Sequence, residues 1–305
     1  MNTFAIETSN LTKSFGSIIA VDRLNLRIKR GELFGLVGPD GAGKTTTMRL
    51  LSAIMDATAG EAWVAGHSLV REQESVKEKI GYMSQRFGLY EDLTVMENIQ
   101  FYADLYEVSK KERPQRIERL LAFSNLTPFK DRLAGKLSGG MKQKLGLACA
   151  LMHTPEVLFL DEPTNGVDPV SRRDFWKILY DLLKENVTIF VSTAYLDEAE
   201  RCTRIGLMHN GKILIEDEPK HVRISLGKPM IEIWSGDARS AIDRVRSVDG
   251  VHSISLYGDK LHITLAKQMN TSKIVDQIRQ AGVDVKEFRE IVPSLEDVFI
   301  SMVEK

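Results

Sequence analysis

The stretch GPDGAGKT at 38–45 constrains this chain more than any other. It follows LFGLV at 33–37, an apolar run of the kind that forms a buried strand. Beyond it, Met48, Leu51 and Met55 keep one helical face, so a helix is expected over 44–55. A strand that breaks at glycines and restarts as a helix leaves the first helical amides unpaired, at the positive end of the helix dipole. That is an anion cradle. Gly41 and Gly43 let backbone amides wrap a phosphate chain, Lys44 reaches its β and γ oxygens, and Thr45 offers a hydroxyl to Mg²⁺. The pattern G-x-x-x-x-G-K-[ST] is met in full and in the strand–helix context it needs.

The chain around this loop alternates strands and helices. FAIETSNL at 4–11 and LNLRIK at 24–29 are strand-like, with Leu24, Leu26 and Ile28 on the buried face and Arg27 and Lys29 opposite. A mostly helical region is expected after residue 55. In it Thr94 and Glu97 form a capping box ahead of Ile99, Tyr102 and Tyr106, and Ser109 with Glu112 marks a second start, carrying Ile117, Leu120 and Leu121. LSGG at 137–140 opens a helix with Leu145, Ala148, Cys149 and Met152 on one face. VLFL at 157–160 and VTIFVST at 187–193 read as buried strands, separated by a helix that Asp168 caps and Pro169 begins. An Asn-Gly turn makes a hairpin of 205–216. The sum is an α/β core on a parallel sheet. From about residue 228 the order becomes strand, helix, strand, strand, helix, strand, the ferredoxin-like arrangement, with a last helix over 294–304 that starts at Ser294 and Asp297. Domains are therefore expected at 1–217 and 229–305, with 218–228 as linker.

Composition narrows the class mainly by exclusion. With 41 basic against 42 acidic residues the net charge is −1, which gives no electrostatic case for nucleic acid as a partner. Cys149 and Cys202 form no ligand or redox spacing and read as reduced, buried thiols. MNTFAIETSN has neither a basic start nor an apolar core, so no signal peptide is expected. The apolar runs fall well short of the roughly 20 residues that a membrane span needs, so a membrane role is expected to be peripheral.

VLFLDEP at 157–163 ends its strand in two carboxylates. Asp161 is placed to hold Mg²⁺, and Glu162 to orient and deprotonate an attacking water. With the glycine loop, this reads as a nucleoside triphosphatase. The order of further motifs goes beyond that. Gln85 lies in YMSQRFGLY, LSGG precedes the carboxylate strand by about twenty residues, and NGVD at 165–168 follows it. In this order residues 4–216 strongly resemble the ATP-binding subunit of an ABC transporter.

The resemblance implies a P-loop fold of ABC type, with an N-terminal antiparallel β subdomain and a helical subdomain at about 86–150. It implies ATP and Mg²⁺ as ligands, with Gly38, Pro39, Asp40, Gly41, Ala42, Gly43, Lys44, Thr45 and Thr46 forming the loop site. It gives Phe15 as the aromatic that stacks on adenine (its alternative, a core phenylalanine, stays open). Gln85 would contact Mg²⁺ and water, so the catalytic set is Glu162, Lys44 and Gln85, and the metal set is Thr45, Gln85 and Asp161. In the family two such subunits pack head to tail. Ser138, Gly139 and Gly140 would then hold the γ-phosphate of the facing subunit's ATP, and Asp168 would communicate across the dimer.

The pattern is departed from in four places. Asp40 stands for the usual asparagine or serine, and Met141 and Lys144 for glutamine and arginine after LSGG. In VSTAYLDEAE, Ala194 stands where the family has a histidine. Alanine cannot hydrogen-bond a γ-phosphate, so turnover is expected to be slow but not abolished, unless Thr193 or Tyr195 substitutes. The implied partners are a separate integral membrane permease and a second ATP-binding subunit, identical or not, at the cytoplasmic face of the inner membrane. Arg86 to Tyr90 and the helix at 94–107 are the candidate permease contact, against a plain intrachain core. YLDEAE and PSLEDVFISMVE resemble subunits associated with export of drugs, lipids or polysaccharides. The alternatives are a soluble ABC-type ATPase acting on ribosomes or DNA, and a slow nucleotide-gated scaffold.

Overall fold

The computed structural model describes residues 3–85, 88–266 and 270–303. The chain divides into two compact units, Met1–Glu216 and Asp217–Lys305.

The first unit opens with β1 (Phe4–Phe15), β2 (Ile18–Lys29) and β3 (Leu33–Val37). Leu24, Leu26 and Ile28 are buried on β2 in the expected alternation. After β3 comes α1 (Lys44–Leu51), shorter than its apolar spacing implies. Ser52 turns its hydroxyl back onto the Met48 carbonyl at 2.8 Å and Ala53 adopts a left-handed φ of 54°, so Met55 reaches the core from outside the helix.

The next segment departs further from expectation, because strands precede the helical region: β4 (Ala59–Val64), β5 (His67–Ser68), α2 (Gln73–Lys79) and β6 (Ile80–Met83). Only Ala62 and Val64 of β4 are buried, and its longer pairing is with β1, far back in the chain, so local pattern hides it. The helices α3 (Val95–Leu105), α4 (Arg113–Phe123) and α5 (Gly139–Ala150) follow. The Thr94–Glu97 capping box is formed in both directions. The one expected at Ser109 is not. Ser109 accepts from Glu112 and Arg113 through its backbone carbonyl, and Glu112 turns its carboxylate to Arg116, so α4 starts four residues later.

The unit closes with β7 (Val157–Asp161), α6 (Pro169–Lys184), β8 (Thr188–Thr193), α7 (Leu196–Ala199), β9 (Arg204–His209) and β10 (Lys212–Asp217, whose last residue crosses the boundary). Strands β2, β1, β4 and β5 make an antiparallel sheet. The other six lie in the order β10-β9-β3-β8-β7-β6, with β9 to β6 parallel. Phe34, Phe190 and Phe159 pack with tilted rings across neighbouring strands, with ring centroids 5.4 and 5.7 Å apart. This sheet sets three strand ends side by side: β3 runs into the glycine loop, β7 ends at Asp161 and β8 at Thr193. The crevice at such carboxyl ends is where open α/β sheets bind ligands. Both cysteines are free and buried, and burial pushes their thiols far above the ordinary range.

The second unit has α8 (Pro219–Ile224) where a linker was expected, then β11 (Met230–Ser235), α9 (Ala238–Arg246), β12 (Val251–Tyr257), β13 (Lys260–Leu265), α10 (Thr271–Gln280), β14 (Val285–Ile291) and α11 (Leu295–Val303). The sheet order β12-β13-β11-β14, all antiparallel, is the ferredoxin-like one. One face packs Ile231, Ile233, Leu261 and Ile263 against α9 and α10.

The other face carries charge. His262 Nδ1 lies 3.0 Å from Asp297 of α11 and its Nε2 lies 3.2 Å from Glu232 of β11. Lys260 and Arg289 also pair with Glu232, and the Tyr257 ring stacks on the imidazole at 4.8 Å. The hydrogen bond to Asp297 holds the His262 pKa above its ordinary value, although burial opposes it. For Asp297, burial pushes the carboxyl up, and the bonds from His262 and Ser294 more than offset this, so it lies below its usual range. The His262 contribution to stability is therefore full below about pH 6.5 and lost as pH rises through its raised value. The Asp297 contribution is present above about pH 4 and lost on acidification. Native-state hydrogen exchange should show α11 opening more easily at about pH 8.5 than at about pH 6, once intrinsic exchange rates are corrected. Equal protection at both would remove this role for His262.

Candidate active site

The glycine loop closes against its own unit. Gly43 has a φ of 108°, and a Cβ there would stand 2.3 Å from the Ala20 carbonyl, so both backbone shape and space exclude a larger residue. Gly41, at φ 77°, has nothing within 4 Å of where its Cβ would be. Pro39 and Asp40 are exposed, Ala42 is buried, and Thr46 is half-buried in the first turn of α1. That turn holds no acidic residue and no side-chain cap, so its amides are left for an anion. Beneath it Lys44, only 4% exposed, donates to the carbonyls of Gly38 and Pro39 at 2.9 and 3.0 Å.

The carboxylates come to this loop through the sheet. Because β7 and β8 run parallel with Asp161 beside Ser192, the Ser192 hydroxyl donates to Asp161 Oδ1 at 2.6 Å. Thr45 donates to the same oxygen at 3.2 Å. Glu162 follows with a left-handed φ of 49°, its N–H shared between Ser192 O and Oγ at 3.1 and 3.0 Å. This uncommon backbone, which costs a non-glycine residue about 1–3 kcal/mol, turns the side chain back toward the loop. The carboxylate meets Lys44 Nζ at 3.2 Å, Gln85 Nε2 at 2.9 Å and Asn165 Nδ2 at 3.3 Å. Gln85 arrives because β6, which ends two residues earlier, lies beside β7.

The donor set suits a hard cation that takes its remaining oxygens from phosphate. The Thr45 hydroxyl and Asp161 carboxylate converge, and among the described residues no cluster of three or more metal-binding side chains exists to hold a metal unaided. Mg²⁺ is bound in that way, through one or two carboxylates together with the substrate's phosphates.

LSGG stands apart from this cluster. Ser138 caps α5, its hydroxyl accepting from Met141 N at 3.3 Å. Ser138 and Gly139 are exposed, whereas Gly140 is buried, and a Cβ on it would lie 2.4 Å from that of Ser171. Its glycine is thus required by the packing of α5 on α6. Asp168 caps α6, accepting from Val170 N at 3.1 Å and Ser171 N at 2.9 Å, and the latter bond lowers its pKa. Among the described residues neither Ser138, Gly139, Gly140 nor Asp168 bonds to the glycine loop. Phe15 ends β1 at 48% exposure, outside the core, with Lys13 Nζ 5.2 Å from its ring centre.

Ala194 is exposed. Of its two suggested substitutes Thr193 is excluded, since it is 1% exposed and its hydroxyl donates to Glu198 at 2.8 Å while accepting from Tyr195 N at 2.9 Å. Arg86 and Phe87 lie outside the described residues; nearby Tyr90, Phe101 and Leu105 are exposed. Sequence reasoning missed Ser192, Asn165 and Glu198. Ser192 acts across neighbouring strands, Asn165 joins Glu162 to the distant Tyr195, and Glu198 joins Thr193 to the distant Thr164, pairings that residue type alone does not signal.

Residues 21–165 match the model of the ABC transporter family, and residues 218–303 match the C-terminal domain of ATP-binding proteins like DrrA1-3. The chain is 43% identical over 307 residues to the probable multidrug ABC transporter ATP-binding protein YbhF of Escherichia coli (strain K12), covering 99% of this chain and 52% of that protein. It thus spans about half the length of that relative and of the equally similar one from Shigella flexneri. It is 33% identical to the bacitracin transport ATP-binding protein BcrA of Bacillus licheniformis, across 98% of this chain and 97% of the other. Among solved structures, the dimeric post-hydrolysis state of the ATP-binding cassette MJ0796 bound to ADP and Pi matches with a TM-score of 0.64 and 27% identity, covering 70% and 98% of the two chains.

Proposed function

The chain belongs to the ATP-binding proteins of ABC transporters, and from that premise we propose that it drives an exporter by pairing head to tail with a second ATP-binding subunit around two ATP molecules. The observation that carries this reading is the separation of the two phosphate-binding features. Lys44, Thr45, Gln85, Asp161 and Glu162 gather at one end of the sheet, while among the described residues the exposed cap of α5 bonds to none of them. One subunit encloses a triphosphate on one side only. The Ser138–Gly139 end of a facing copy has the amides and helix dipole to complete it.

In this mechanism Phe15 stacks on adenine and the loop amides hold the phosphates. Lys44 exchanges its ion pair with Glu162 for the β and γ oxygens, which frees the carboxylate. Glu162 then takes a proton from water as the water oxygen attacks the γ-phosphorus, and the bond from that phosphorus to the β–γ bridging oxygen breaks, leaving ADP and phosphate. Held by Thr45 and Asp161, with Gln85 nearby, Mg²⁺ supplies neutralising charge for those oxygens. No histidine at 194 steadies the γ-phosphate, so turnover is slow. Asp168, at the start of α6 beside Gly140, lies near the pairing surface.

The permease is a separate chain docked on the aromatic stretch at 88–107, which places the subunit at the cytoplasmic face of the membrane. Exposed Tyr90, Phe101 and Leu105 support that contact, and among the described residues no helix is long and apolar enough to cross a membrane. The multidrug and bacitracin relatives support an amphipathic, drug-like cargo.

With Mg²⁺ and a non-hydrolysable ATP analogue, sedimentation should show a dimer. Ser138→Arg should bind the analogue as before yet stay monomeric. A wild-type monomer under saturating analogue, or a variant that dimerises normally, would overturn the pairing.

A further inference from the structure

Glu162 has a partner that the proposed mechanism does not use, on the same oxygen that accepts from Gln85. Its Oε2 accepts from Asn165 Nδ2 at 3.3 Å, and Asn165 Oδ1 lies 3.3 Å from the Tyr195 hydroxyl. We propose that Tyr195 is a positioning residue for ATP hydrolysis: its hydroxyl fixes the Asn165 amide, and that amide holds the Glu162 carboxylate in line. The inference rests on the reading of Glu162 as the base.

The chemistry of the groups sets the direction of each bond. A carboxylate only accepts, so Asn165 must present its NH₂ to Glu162, which leaves its carbonyl for the phenol; Tyr195 is then the donor. Without that donor the amide can rotate by half a turn and put its oxygen against the carboxylate, which repels it. The hydroxyl therefore selects one of two orientations of similar shape.

The ring itself is well located. The Arg172 guanidinium lies 5.0 Å from the ring centre, and the Tyr195 N–H is tied to the Thr193 hydroxyl. Buried Glu198 accepts from both Thr193 and Thr164, so the segment after β7 and the segment after β8 share one anchor beneath the Tyr195–Asn165 bridge. Arg172 also lies 3.4 Å from Glu198, which ties α6 to the same anchor. Ala194, between Thr193 and Tyr195, adds only a methyl group, so the route from the end of β8 to Glu162 runs through the next residue.

Tyr195→Phe keeps the ring over Arg172 and removes only the donor. Its kcat for ATP should fall roughly two- to twelvefold, the range one hydrogen bond of about 0.5–1.5 kcal/mol supplies, while KM stays within about twofold. Asn165→Ala should show the same split. Because the two residues act in series, the double variant should be no slower than Asn165→Ala alone. A wild-type kcat in Tyr195→Phe, a change confined to KM, or losses that multiply in the double variant would each overturn the inference. Glu162→Gln in the same assay separates this from the underlying reading: if that variant keeps the wild-type rate, the base is misassigned and the bridge has nothing to position.

Discussion

Glu162→Gln is expected to lower ATP turnover by about 10²–10⁴-fold while leaving nucleotide binding intact, since the amide keeps the shape and loses only the ability to take a proton. The structure explains why binding should survive. Glu162 is held by its backbone to Ser192 and, among the described residues, makes no bond to the loop amides, and two of the Lys44 contacts go to the Gly38 and Pro39 carbonyls, not to residue 162. With Mg²⁺ and ATP the variant should accumulate as a dimer, because pairing no longer ends in hydrolysis. Phosphate release by the purified chain is the measurement, and a rate within a few-fold of wild type would show that some other group activates the water.

Ala194→His should act in the opposite direction, raising turnover by about 10²–10³-fold. A donor aimed at charge that develops on the γ-phosphate is worth about 3–4 kcal/mol. An imidazole can be added at this site because Ala194 is exposed, so nothing need move to admit it. Of the two hydroxyls that would make the change redundant, the structure removes Thr193, which is turned inward to Glu198. Equal rates for the two proteins would mean that the alanine costs nothing, and the slow-turnover reading would be discarded. In a pair with a different subunit, the effect would appear only at the site that this chain's 194 position faces.

Much of this was legible before any coordinates, and the legible parts share a property. GPDGAGKT, the Thr94–Glu97 and Ser294–Asp297 boxes and the Asp168–Pro169 start each complete their hydrogen bonds within a few residues. The false start at Ser109 shows the limit of the same logic. There Arg116, one turn beyond Glu112, won the carboxylate that a capping box needs. Likewise α1 kept its apolar spacing to Met55 but ended at Leu51, where the Ser52 hydroxyl and the turn at Ala53 outweighed periodicity.

The sequence by itself determined the loop, the two carboxylates, the alternation of strands and helices and the order of the second unit, because short-range bonding and burial patterns encode them. Only the tertiary structure decided that Gly140 must be glycine to admit Ser171, that Gln85, Asn165 and Ser192 surround Glu162 and Asp161, and that Thr193 is unavailable. Apart from the Asn165 contact, which a turn three residues long makes, those facts depend on which strands lie side by side and how closely two helices pack. Such distances are set by the whole core, and no local run of residues contains them.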